Sequence, residues 1–359
     1  MVPGTPARTD VIRLAWPDLG EEELAAVAEV LESGQLTMGP KVAEFEAELA
    51  RACEVEHAVA VSSGTAALHL AMLALELGPG DEVIVPAYTF PATANMVALA
   101  GSKPVLVDVD PETMNVRPEA VADALTDRTR AVLVVHLFGR PARWEEIEAA
   151  VPDGVVLIED AAGALGARRG GRACGGLGRL GCLSFHPRKI VTTGEGGAIT
   201  TDDGDLAETL RAMRHHGWRE ADMPAPGFNY RLPDILCALG VTQLRRLEQL
   251  LGERERVAAA YGQRLEGRVQ LPSTDEGDRH GWQAYIIQVD GRDAALDALR
   301  SADIQAQIGT YALHRLGAYS DQGPFPGADA AYERALALPF HNRLTGEDVD
   351  RVVSVLTGL

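Results

Sequence analysis

Four cysteines in 359 residues are too few for a disulfide scaffold, and Cys53, Cys174, Cys182 and Cys237 form no C-x-x-C pair. That spacing argues against structural zinc and against a stapled secreted domain, so no metal is expected and a reducing cytoplasm fits best. Basic residues are also scarce. Lys and Arg number 33 against 52 Asp and Glu, a formal net charge of −19. Such a surface repels phosphate backbones and anionic lipid, which excludes general nucleic-acid or membrane binding but leaves room for one small phosphorylated ligand held by local donors. Long apolar runs are missing: the stretches near Ala66–Leu75 and Thr93–Ala100 are too short or too interrupted to span a bilayer. Residues 1–10 carry no apolar core of the kind a secretory signal needs. The absence of a 20–50-residue period or a low-complexity tract sets aside solenoids and propellers.

What is present is ordinary for a soluble globular protein, with 46% hydrophobic and 24% charged residues. At roughly 150 residues per domain the length suits two domains. Glu21–Glu23 favour the positive end of a helix over 21–32, with Leu24, Val27, Ala28 and Leu31 on one face and Gly34 as its stop. A second helix follows Pro40, turning Val42, Phe45 and Leu49 inward. Short apolar runs then read as buried strands: Ala58–Val61, Glu82–Val85, Pro104–Val107, Ala131–Val135, Val155–Ile158 and Gly181–Phe185. Helical segments such as Thr65–Leu77 and Pro118–Leu125 lie between them. This alternation predicts an α/β fold on a mainly parallel sheet covered on both faces, with ligand chemistry at the strand ends. Beyond residue 240 the pattern predicts one long amphipathic helix, Leu244–Leu265, a strand at Ala284–Val289, a helix near Ala294–Leu299 and a last helix after Thr345. The expected division is therefore a large domain over 11–243 and the long helix with a smaller α+β domain over 244–359.

The chemistry centres on Ser184-Phe185-His186-Pro187-Arg188-Lys189 and the glycine-rich Thr192–Gly197 that follows. A lysine beside such a loop traps carbonyls if burial disfavours its charged form, although a surface lysine after a strand is the commoner reading of Lys189 alone. Asp160 ends the strand from Val155, where a carboxylate can keep a heterocyclic nitrogen protonated or simply cap a turn. The pair, 29 residues apart, says more than either part. Ser63-Gly64-Thr65 opens a helix directly after a strand, a place where free N–H groups attract phosphate and where capping alone is an equal alternative. Phe90 follows another strand and offers a flat ring for stacking or for core packing. His136 reads as a structural histidine, and Asn229 sits in a loop where its amide reaches a phosphate or makes a turn.

Taken in order, these motifs resemble the DegT/StrS family of pyridoxal-phosphate-dependent sugar aminotransferases, from Gly34–Pro40 through Ser63–Leu68, Glu159–Ala162, Ser184–Gly197 and Asn229–Arg231 to Leu338-Pro339-Phe340. The resemblance implies an aspartate-aminotransferase-like fold (fold type I) and a homodimer with shared sites. It makes Lys189 the Schiff-base lysine and Asp160 the partner of the pyridine nitrogen, with Phe90 on the ring face. Gly64, Thr65 and Ser184 hold the phosphate, helped by Ser63 and by Asn229 from the other subunit. L-glutamate is the implied donor, pyridoxamine phosphate the carrier, and a nucleotide-linked 4-keto-6-deoxy sugar the implied acceptor. The alternatives are a 3-keto-sugar, a keto-cyclitol, or a non-catalytic cofactor-binding regulator or scaffold. Arg231, Tyr311 and His314 are the candidates for acceptor contact. One position departs: the family usually has Gln or His where this chain has Gly163, which removes a donor to the cofactor's phenolic oxygen. Lys189 itself argues against the dehydratase branch, which carries His there.

Overall fold

The computed structural model of the chain describes residues 11–358; residues 1–10, read above for their lack of an apolar core, and Leu359 lie outside the described residues. Seven strands form the central sheet, in the order His57–Val61, Gly197–Thr201, Leu180–Ser184, Val156–Asp160, Thr129–Val135, Glu82–Pro86, Lys103–Val107. Gly197–Thr201 runs antiparallel to both its neighbours, and the remaining pairings are parallel. The parallel strands are apolar on both sides, as Val83-Ile84-Val85 and Ala131–Val134 show by being buried throughout. The helix Gly64–Ala74 packs on one face, and the helices Pro40–Cys53 and Asp234–Arg245 on the other. A third apolar cluster joins the later part of the chain to Ile12. It holds the sheet Tyr285–Gln288, Ala335–Leu338, Gln307–Ile308 with the helices Arg292–Ser301 and Gly346–Thr357.

The expected mainly parallel α/β fold is the observed one, with differences of detail that have physical reasons. The long helix expected over Leu244–Leu265 forms as Leu247–Leu265, and the helix Asp234–Arg245 precedes it, the two meeting at Arg246 with φ −98° and ψ 6°. The apolar period runs through that junction, because Leu247, Leu250 and Leu251 join the large-sheet core while Val257, Tyr261 and Leu265 join the third cluster. The strand Gly197–Thr201 was hidden by its leading glycine and the glycine-rich run before it. A Cβ on Gly197 would stand 2.3 Å from the Ser63 carbonyl, so only glycine lets this strand pass under the Ser63-Gly64 turn. Two further elements carry weak sequence signals, the helix Gly204–Arg214, started by Asp203 accepting from Leu206 N, and the strand Ala335–Leu338. The helix Glu21–Ser33 forms as expected, but its apolar stripe faces outward, with Leu24 55% and Leu31 56% exposed while Val30 is buried. Among the described residues, no helix is long and apolar enough to cross a membrane.

Candidate active site

A cavity of about 510 Å³ opens at the carboxyl ends of the central strands, where ligands bind in sheets of this kind. Strand Val156–Asp160 delivers Asp160 to its floor. Asp160 Oδ2 accepts from Thr93 Oγ1 at 2.8 Å, and Oδ1 accepts from Ala162 N at 3.2 Å. Thr93 is itself fixed by Thr89, whose Oγ1 lies 3.2 Å away. The carboxylate is thus oriented but not saturated, and the rest of its edge meets the cavity.

The preceding residue, Glu159, projects to the other side of the strand and is wholly buried. Its Oε1 accepts from Leu177 N (2.7 Å) and Gly178 N (2.9 Å), and its Oε2 from Gly175 N (2.6 Å). His136 Nε2 stands 2.9 Å from the same Oε2, and His136 Nδ1 accepts from Ala142 N, so the ring proton sits on Nε2 and points at Glu159. His136, Glu159 and Cys174 bring three ligand-type atoms within 4.8 Å. Both ring nitrogens and all four carboxylate positions are already used, however, so this cluster is a structural staple and not a metal centre.

Lys189 is placed by a loop that folds back on its own strand. Phe185 N donates to Gly196 O, Phe185 O accepts from Thr193 N and Thr192 Oγ1, and Lys189 N donates to His186 O. Lys189 lines the cavity half-buried. Loss of solvent pushes its ammonium below the usual lysine range, and Asp160 opposes that shift. The third corner is the start of helix Gly64–Ala74. Ser63 Oγ accepts from Ala66 N at 3.0 Å, which leaves the Gly64 and Thr65 N–H groups without an intrahelical acceptor at the cavity wall. Gly64 is needed there, since a Cβ would come within 2.9 Å of Ser184 Cβ.

The structure therefore brings together Ser63, Gly64, Thr65, Phe90, Asp160, Ser184, Lys189 and Tyr311 around one cavity. Phe90 is 62% exposed at its mouth, with its ring centroid 6.4 Å from that of Tyr311. Asn229, Arg231 and His314 are not in its lining. Asn229 is exposed in a segment whose next residue, Tyr230, accepts from Ser62 N. Arg231 meets His215 (Nη1 to Nδ1, 2.8 Å), and His314 Nε2 faces Asp329 at 3.1 Å. Sequence reasoning missed Thr93 and Gln283, both in the lining. For Thr93 the available signal was its i, i+4 spacing from Thr89 across the strand-to-helix turn; for Gln283 there was none.

A model of the DegT/DnrJ/EryC1/StrS aminotransferase family matches residues 17–357. The chain belongs to that family. Among solved structures, this aminotransferase is similar to TlmJ from Streptoalloteichus hindustanus, an aminotransferase, at 37% identity and a TM-score of 0.93, covering 97% of this chain and 98% of that one. It is similar to DesV from S. venezuelae, solved in complex with a ketimine intermediate, at 35% identity and a TM-score of 0.90, with 94% of each chain covered. It also resembles Spr1654 from Streptococcus pneumoniae, described as a sugar aminotransferase and solved in a PMP form, at 28% identity and a TM-score of 0.93 over 97% of each chain. The expected fold and the aminotransferase class are those of its family, and pyridoxal phosphate is the cofactor. The cavity fits that group. It offers backbone donors at a helix start for a phosphate, a carboxylate for a ring nitrogen, and an amine with reduced proton affinity for a carbonyl.

Proposed function

We propose that this aminotransferase moves an amino group from L-glutamate to a nucleotide-linked 4-keto-6-deoxy sugar, in two half-reactions that use one site in turn. The observation that carries this reading is the meeting of Lys189, Asp160 and the Ser63–Thr65 helix start in one cavity. When bound, pyridoxal phosphate supplies the electron sink that makes the donor's α-proton removable. The chain's own residues do the rest. Gly64, Thr65 and Ser184 bind the phosphate, Phe90 covers the ring face, and Asp160 holds the proton on the ring nitrogen. Lys189 first captures the cofactor and then, freed by the donor, moves the proton as base and acid. Its amine is suited to that work because burial disfavours the charged ammonium form.

The acceptor's phosphates have a candidate seat. Arg188 and Gln307 line both this cavity and a second hollow of about 390 Å³, which Arg300 also lines. Arg188 Nη1 donates to Gln307 Oε1 at 2.8 Å, and neither arginine has a carboxylate partner among the described residues. Asp303 is the acidic residue in this lining, and the balance still favours an anion. Tyr311, Arg231 and His314 stay proposed acceptor contacts, the last two requiring movement or a second copy. The outward stripe of Leu24, Leu31, Leu36 (43% exposed) and Met38 (44% exposed) supports a homodimer, in which Asn229 serves the partner's site. The division at residues 243 and 244 and a cytoplasmic location, suggested by four buried free cysteines, belong to the same proposal.

The experiment is a visible spectrum of the protein with pyridoxal phosphate. A yellow band that bleaches with L-glutamate and returns with 2-oxoglutarate is the expected outcome. A band indifferent to glutamate overturns the donor. No band at all overturns the role of Lys189 and favours the non-catalytic scaffold. Once the donor half is in hand, 4-keto-6-deoxy, 3-keto-sugar and keto-cyclitol acceptors are compared by return of the band.

A further inference from the structure

Gly163 lies three residues beyond Asp160 and leaves the cavity wall without a side chain at that point, and Gln283 fills the space. A Cβ on Gly163 would stand 3.4 Å from Gln283 Cγ and 3.5 Å from its Oε1, so the two positions share one volume. Gln283 arrives there on a fixed backbone. Its N–H donates to Phe138 O at 3.1 Å, and its carbonyl accepts from Arg254 Nη1 at 3.2 Å. The chain passes so closely over Gly139, at φ +96°, that a Cβ on Gly139 would come within 2.8 Å of Trp282 N. The Gln283 side chain is half-buried in the cavity lining, and no described residue bonds its carboxamide. An anchored amide with two donors and no protein partner, beside the ring-binding carboxylate, is built to contact a ligand.

Strand order says which edge of the ligand it meets. Ser184 ends the strand on one side of Val156–Asp160, next to the Gly64 helix start, whereas Phe138 and Gly139, which carry Gln283, follow the strand on the other side. A pyridine ring with its nitrogen at Asp160 and its phosphate arm toward Ser184 therefore turns its hydroxyl-bearing edge toward Gln283. We propose that the Gln283 carboxamide donates to the cofactor's ring oxygen, adjacent to the carbon that Lys189 captures, and so replaces from a distant segment the donor that Gly163 lacks. The inference rests on the cofactor being bound as proposed above.

A donor on that oxygen draws charge from it and lowers the proton affinity of the conjugated nitrogen contributed by Lys189. Gln283→Met keeps length and volume and removes the donor. In the holoenzyme, the pH midpoint at which the visible band changes is expected to rise by about 0.5–1 unit, the size of one ordinary hydrogen bond. Gln283→Glu, which puts a carboxylate against the ring oxygen, is expected to raise it further. The double variant Gly163→Gln/Gln283→Ala is expected to restore the parental midpoint. A folded Gln283→Met holoenzyme with an unchanged midpoint overturns the proposal, and so does an unchanged Gln283→Glu if the Met variant fails to fold. A parent protein that forms no visible band refutes instead the cofactor placement on which the inference rests.

Discussion

Glu159 and Asp160 are consecutive carboxylates on one buried strand, and they do opposite work. Glu159 faces away from the cavity and spends every lone pair on the Gly175–Gly178 turn and His136. Asp160 faces the cavity with one donor on each oxygen and an open edge. Chemistry and burial are nearly the same, since the two are 0% and 6% exposed. The difference lies in how many acceptor sites remain empty. A carboxylate saturated by backbone N–H groups is a fastener; one held by two donors is oriented and still available.

The largest effect should come from Asp160. Asp160→Asn preserves shape and the contact with Thr93 but cannot hold a ring nitrogen protonated. It should lower kcat/KM by roughly 10³–10⁴, about 4–5.5 kcal/mol, with little change in melting temperature. Glu159→Gln should do the reverse. Whichever way the amide is turned, its NH2 faces two donors, Leu177 N and Gly178 N or Gly175 N and His136. Leaving two buried donors unmet costs about 3 kcal/mol, read in a denaturation midpoint, while any turnover surviving in the folded fraction stays near the parent's. If Glu159→Gln melts normally and loses activity, the comparison is inverted and the strand has been misread.

How much of this was visible in the sequence follows from the same contrast. Asp160, Lys189 and Ser63–Thr65 were legible because each stands where an apolar strand stops, and strand ends are where α/β sheets place chemistry. The sheet was legible for the same reason, from runs such as Val83–Val85 that no solvent-facing strand would carry. The strand Gly197–Thr201 was not, because its glycine serves a close approach to Ser63 and reads in sequence as loop. The long helix was legible but its start was placed at Leu244 and not Leu247, because two adjoining helices that bury the same kind of face give one uninterrupted period across Arg246. Gln283 was beyond reach: it lies 120 positions from Gly163, and what joins them is the absence of a Cβ, a fact about space.

The smallest predicted effect tests how far orientation matters once charge is kept. Thr93 is fully buried, donates to Asp160 at 2.8 Å, and is held in turn by Thr89. Thr93→Val fills the same volume and removes only the hydroxyl, so the fold should change little while Asp160 loses the donor that fixes its Oδ2. A hydrogen bond to a charged group contributes about 1.5–3 kcal/mol. Part of that is recovered by solvent or ligand at the cavity, so kcat should fall about tenfold with KM for the donor nearly constant. Thr93→Ser, which retains the hydroxyl, should restore most of the loss. Parental turnover in Thr93→Val would mean that Asp160 needs only its charge and its strand, and that the line between fastener and open carboxylate is drawn by the backbone alone.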